Sequence, residues 1–158
     1  MSEEIGEFKA PAPIELPKVV KKPVDTPDLQ YTPPSWACTP AEDLEYQFDV
    51  IKNGKLIESF DFSKRKNASY LVVGRLPGCD LVLDHPSISR YHCILQYGED
   101  ILSKSGKGWH LYDMGSTHLT KINKNKIPPK QYMRAHVGFI IQFGGNFHSK
   151  YKRRNKLQ

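Results

Sequence analysis

Beyond Leu44 the chain alternates. Tyr46, Phe48 and Val50 fall on one side of an extended segment and Gln47, Asp49 and Ile51 on the other, the two-residue period of a half-buried strand. Asn53-Gly54 follows, then Leu56-Ile57-Glu58-Ser59-Phe60. Both turn residues tolerate the positive φ that a type I′ turn demands, so the two runs are predicted to pair as a hairpin. Further short apolar runs predict strands near Tyr70 to Gly74, Leu81 to Leu83, Tyr91 to Tyr97, Trp109 to Asp113, Lys121 to Ile122 and Phe139 to Phe143. Gly, Pro, Asn and Ser turns separate them, and no stretch carries the 3.6-residue period of an amphipathic helix. Many short strands at this spacing predict an all-β fold, an antiparallel β-sandwich whose loops gather at its ends and are free to carry binding groups.

The first 40 residues break from the pattern. Prolines stand at 11, 13, 17, 23, 27, 33, 34 and 40 with few aliphatics in register, so this part cannot bury enough surface to offset chain entropy. A disordered Pro-rich arm is expected over 1–40, a folded domain over 41–149 and a basic tail over 150–158. Within the arm, Tyr31 to Trp36 puts two aromatics beside Pro33-Pro34 and either docks on the domain edge or stays solvated.

Composition changes this picture little. The net charge of +6 is concentrated at the C-terminus, where Lys150, Lys152, Arg153, Arg154 and Lys156 lie within nine residues. A broad basic face on the folded part is therefore not expected, which argues against nucleic acid held by the domain itself. Cys38, Cys79 and Cys93 are odd in number and lack CxxC spacing, and the acidic N-terminus leads into no apolar signal region, so a reducing compartment is expected. No apolar run is long enough to span a bilayer, and no membrane insertion is expected.

Candidate chemistry lies in three loops. Gly74-Arg75 ends an apolar strand with a guanidinium. Asp84 to His92 gathers Ser87, Ser89, Arg90 and two imidazoles, and Asp113 to Thr120 adds Ser116, Thr117 and Thr120. If the three meet, their guanidinium, hydroxyl and backbone N–H donors suit a phosphate dianion. Taken singly, an arginine at a strand end is usually a solvated rim charge and a turn serine usually caps local backbone. Ser89 and His92 have the residue types of nucleophile and base, but no G-x-S-x-G elbow surrounds the serine, and no enzymatic activity is expected. The six histidines show neither HExxH nor Cys/His pairing, so neither a metal nor any other cofactor is expected.

Taken in order, Gly74-Arg75, Ser89-Arg90-Tyr91-His92 and Asp113-x-Gly115-Ser116-Thr117, with Thr120 and Asn123 following, resemble the forkhead-associated (FHA) domain family over roughly residues 44 to 146. The resemblance implies an eleven-stranded sandwich whose apical loops bind phosphothreonine peptides. It implies that Arg75 pairs with the phosphate, Ser89 donates its hydroxyl, Arg90 supplies charge or backbone N–H, Thr117 completes the cradle and Ser87 makes a rim contact. By the same resemblance His92 is a buried support of the Ser89 loop, Gly74 permits close backbone approach and Asn123 ties down the third loop. The family's usual Asn-Gly-Thr is replaced by His118-Leu119-Thr120. His118 can donate from a ring nitrogen in place of the asparagine, and a leucine at a positive-φ position costs about 1 kcal/mol that glycine avoids.

The stretches from Pro77 to His92 and from Lys126 to Gly138, with Phe143-Gly144-Gly145, are most similar to a longer, nuclear, adaptor-like branch of the family. That similarity implies phosphothreonine-containing protein partners, a location in the nucleus and also the cytoplasm, and a link to mRNA processing. The alternative function is a scaffold with a degenerate pocket whose basic tail binds nucleic acid or an import receptor. Because Asn146 to Tyr151 offers only Phe147 and Tyr151 to a core, the closing strand is expected to be altered or curtailed.

Overall fold

The computed structural model describes residues 27–40, 46–65, 68–100 and 106–153. Residues 1–31 and 32–158 form separate units, and the fold lies in the second. Eleven strands are described: β1 (Tyr46–Lys52), β2 (Lys55–Asp61), β3 (Tyr70–Gly74), β4 (Leu81–Val82), β5 (Cys93–Glu99), β6 (Lys107–Asp113), β7 (Thr120–Ile122), β8 (Asn125–Lys126), β9 (Tyr132–Arg134), β10 (Ile140–Phe143) and β11 (Phe147–Arg153). They form two sheets, ordered β9-β6-β5-β3-β4 and β2-β1-β11-β10-β7-β8. All pairings are antiparallel except β3 with β4. The predicted first hairpin is present: Lys52 pairs with Lys55 across Asn53 and Gly54, at φ 52° and 77°.

The inward residues of both sheets make one core. Phe48, Phe60, Leu71, Leu95, Ile141 and Phe143 are fully buried. Phe62, in a short 3-10 turn (Phe62–Lys64), meets Phe48 edge-on at 4.8 Å, Trp109 at 5.1 Å and Tyr151 in a stack at 5.6 Å. Such ring pairs add about 0.5–1.5 kcal/mol each beyond area burial and lock the sheets' relative placement.

Three expectations are corrected. The closing strand is neither altered nor curtailed, since β11 runs seven residues and pairs along its length with β1. Its inward set is Phe147, Ser149 and Tyr151, all buried, and Lys150 and Lys152 alternate outward, as a sheet with one solvated face requires, while Arg153 ends the strand on the inward side and is exposed there. Lys150, Lys152 and Arg153 therefore belong to a strand and not to a tail. Lys152 lies 3.1 Å from Asp49 and Arg153 donates to the Tyr46 hydroxyl at 3.1 Å.

The Pro-rich arm, second, is ordered at Trp36 to Cys38. Ala37 bridges to Gly98, Cys38 N–H donates to Tyr97 O at 3.1 Å and Glu99 N–H donates to Trp36 O at 3.3 Å. This strap occupies the edge of β5 beyond the end of β3. Trp36 packs on His110 at 4.6 Å and edge-on to Tyr132 at 4.8 Å. A Cβ on Gly98 would come within 2.5 Å of the Trp36 ring, so only glycine leaves the indole its seat.

Third, β5 begins at Cys93 and not at Tyr91, because His92 is engaged in the apical loops, and the short strands β8 and β9 were not predicted. Among the described residues no helix is long and apolar enough to cross a membrane.

Candidate functional site

The β3–β4, β4–β5 and β6–β7 connections meet at one end of the sandwich, and backbone bonds hold them there. Arg75 N–H donates to Ser89 O at 3.1 Å and to Arg90 O at 3.2 Å, drawing the first loop onto the second. A Cβ on Gly74 would collide with Arg90 O, which is the close approach expected of that glycine. The Arg75 guanidinium is half-buried and donates from Nε to Ile88 O at 2.9 Å, which fixes its plane and leaves its Nη groups without a hydrogen bond among the described residues.

Second and third loops are joined through Ser89, whose Oγ accepts from Thr117 N–H at 3.1 Å. Its backbone N–H donates to His92 Nδ1 at 3.1 Å, and His92 Nε2 contacts Leu119 O at 3.1 Å. A carbonyl can only accept, so Nε2 carries the proton and Nδ1 the lone pair. His92 is thus a neutral clamp across two loops, fully buried, and burial pushes its pKa below the ordinary imidazole value. With both ring nitrogens bonded to backbone, and Ser89 Oγ bonded elsewhere, the pair is not arranged as nucleophile and base.

The strongest organiser of the third loop had no individual role in the sequence reading. Asp113 is fully buried at the end of β6 and accepts four hydrogen bonds. They come from Gly115 N–H and Ser116 N–H, each at 2.9 Å, Ser116 Oγ at 2.6 Å and Thr120 Oγ1 at 2.7 Å. An acid two residues before a glycine and three before a serine is the sequence pattern of such an Asx turn and could have been found on that ground. Gly115 at φ 81° lets the chain reverse above the carboxylate. Leu119 sits at φ 63°, the strained position anticipated for it, and there its carbonyl faces His92.

Not every candidate joins this cluster. Ser87 Oγ lies 3.0 Å from His85 Nδ1 and accepts from Gly145 N–H at 3.1 Å, so its hydroxyl tacks the second loop to the β10–β11 turn instead of standing on the rim. Asn123 lies at the far end of β7, where its Oδ1 accepts from Ile140 N–H at 2.9 Å and pins the β7–β8 turn to β10, not the third loop. The Arg90, Thr117 and His118 side chains are exposed at the loop rim. Cys79, packed beneath Gly74, has its thiol pushed up to about 11 by burial and is unreactive at neutral pH. Among the described residues no group of side chains converges with metal-ligating geometry.

The chain is similar to known proteins. The FHA domain model matches residues 71–144. An uncharacterized protein of Caenorhabditis elegans is 55% identical over 134 residues, which is 84% of this chain and 19% of that protein. Human kanadaptin is 45% identical over 105 residues, 64% of this chain and 14% of kanadaptin. The chain thus spans less than a fifth of the length of either relative. Among solved structures, the yeast Pml1 splicing factor, described with its integration into the RES complex, superposes with a TM-score of 0.66 at 17% identity, covering 80% of this chain and 99% of Pml1.

Proposed function

Because the chain belongs to the FHA domain family, we propose that it binds phosphothreonine-containing segments of partner proteins through the three apical loops, as an interaction module without catalysis. The observation that carries this reading is the Ser89 junction, where the hydroxyl meets Thr117 N–H at 3.1 Å while the Ser89 and Arg90 carbonyls hold Arg75 N–H. A phosphate dianion entering there would take charge-assisted bonds from Arg75 Nη and the Ser89 and Thr117 hydroxyls, with Arg90 and His118 at the rim. A threonine without phosphate offers one hydroxyl to a site built of donors, so its binding would be negligible.

The experiment is binding of wild type and Arg75→Ala to a phosphothreonine peptide library beside unphosphorylated controls. Phosphate-dependent binding lost in Arg75→Ala, with an unchanged melting temperature, is the expected result. Equal binding of phosphorylated and plain peptides, or binding indifferent to Arg75, would contradict it.

The likeness to a splicing factor supports a nuclear setting linked to messenger-RNA processing, and the similarity to kanadaptin supports an adaptor-like role within a longer protein. Nuclear enrichment of the tagged chain, and recovery of phosphorylated splicing proteins that Arg75→Ala fails to recover, test that setting.

A further inference from the structure

Moving Lys150 and Lys152 from a supposed tail into β11 gives the six-stranded sheet a basic outer face that the sequence did not suggest. Pairing across this sheet aligns one row as Lys126, Lys121, Gln142, His148 and Ile51, and a neighbouring row as Ile140, Lys150 and Asp49. Lys121 and Lys126 stand directly opposite each other, a like-charge pair that destabilises the sheet unless an anion lies over it. Lys124, Lys126, His148 and Lys150 are exposed. The acids of this face lie toward β2: Asp49, cross-strand from Lys150, is already taken by Lys152, Gln47 and Ser59, and Asp61 by Ser63.

Between the lysines lies a groove of about 260 Å³ lined by Asn123, Lys124, Ile140, Gln142 and His148. Its amides are oriented by the fold. Gln142 Nε2 donates to Gly144 O at 3.2 Å and Gly145 O at 3.1 Å, leaving Oε1 to accept. Asn123 Oδ1 accepts from Ile140 N–H, leaving Nδ2 to donate. A donor and an acceptor over the Ile140 side chain, with Lys124 in the lining and Lys121 and Lys150 cross-strand from Gln142 and Ile140, match the edge of a planar heterocycle on a phosphate chain. A polycarboxylate peptide would use the donors alone. The exposed apolar side chains that a lipid surface would need are scattered, with Leu56 at 60% and Ile57 at 50% exposure on the opposite edge strand β2, Val137 in the β9–β10 connection and Ile140 alone in the groove.

We propose that this outer face binds single-stranded nucleic acid, Lys121, Lys126 and Lys150 contacting phosphates and the Asn123–Gln142 groove receiving a base. The site is separate from the apical loops. Its occupant is held mainly by counterion release, so binding is salt-dependent and tolerant of sequence.

The test titrates a labelled 12-nucleotide oligouridylate with the full chain, its Lys121→Glu/Lys150→Glu and Lys121→Gln/Lys150→Gln variants, Arg75→Ala, and a chain lacking residues 154–158. A polyglutamate peptide and phosphatidylserine vesicles serve as rival anions. Wild type is expected to prefer the oligonucleotide, the Glu variant to bind at least tenfold more weakly, and Arg75→Ala to bind as wild type. The Gln variant should lower the slope of log affinity against log salt by about 1.4, roughly 0.7 per phosphate contact, with an unchanged melting temperature. Binding indifferent to both double variants, preference for polyglutamate or vesicles, or loss on removing 154–158 alone would overturn the proposal. Because Arg75→Ala is expected to be neutral here and disabling for phosphopeptide, failure of one reading is distinguishable from failure of the other.

Discussion

The two ends of β5 are held in different ways. Where β5 leaves the apical loops, buried polar groups are saturated: Asp113 accepts four hydrogen bonds and His92 uses both ring nitrogens. Where it reaches the strap, two backbone bonds, from Cys38 N–H to Tyr97 O and from Glu99 N–H to Trp36 O, are completed by a fit of shape. Trp36 fills the space that Gly98 leaves, and His110 beneath it is buried with no hydrogen-bond partner for Nδ1 among the described residues. The difference shows what each end is for. Directional bonds fix loop geometry to fractions of an ångström, which a phosphate site needs, whereas an aromatic plug closes an edge and tolerates angular play.

The largest expected effect comes from breaking the polar end. Asp113→Ala leaves two backbone N–H groups and two hydroxyls without their acceptor, costing about 3–5 kcal/mol, near the top of the range for single substitutions. Denaturant unfolding should show that loss, and phosphopeptide binding should fall with it. Trp36→Ala removes a half-buried indole at the other end and should cost less, about 2–3 kcal/mol, while phosphopeptide affinity at a temperature where the variant is folded stays within twofold of wild type. A large affinity loss in Trp36→Ala would mean that the two ends are coupled and would break the comparison.

Acid sharpens it further. Burial lowers the pKa of both His92 and His110 from the ordinary 6.5. The unfolded chain then binds more protons than the folded one just below that pH, so stability is complete above 6.5 and declines as pH falls toward the native pKa values. Denaturation midpoints between pH 5 and 7 should show this slope, and His110→Phe should keep the part due to His92, whose protonated Nδ1 can no longer accept from Ser89 N–H. The smallest effect is expected at Leu119. Leu119→Gly relieves about 1 kcal/mol of positive-φ strain but gives back a comparable amount in unfolded-chain entropy and lost contact, for a net change within about 0.5 kcal/mol by thermal melting.

Much of this was legible in the chain. Asn53-Gly54 announces its hairpin because the turn chemistry is local, and Gly74-Arg75 with Ser89-Arg90-Tyr91-His92 announces a loop cluster because the ordered set is specific. The seat of Trp36 was not legible, since it depends on an absent side chain at Gly98, far along the sequence. β11 was misread for a different reason. A strand with one solvated face needs only its inward residues to be apolar or small, and Phe147, Ser149 and Tyr151 suffice while His148, Lys150 and Lys152 fill the outward positions. Ser87 and Asn123 look like site residues by type, and only the fold reveals that their polar atoms are taken by the β10–β11 turn and by β10.

The account rests on the apical loops reading phosphate, and the most direct measurement is residue-resolved. Amide chemical shifts of the labelled chain should be followed while a phosphothreonine peptide, and then its plain threonine counterpart, is added. The account predicts shifts centred on Arg75, Ser89, Arg90 and Thr117 with the phosphopeptide alone, and none around Lys121 and Lys150. Equal shifts with both peptides, or shifts confined to the outer face of the six-stranded sheet, would contradict it.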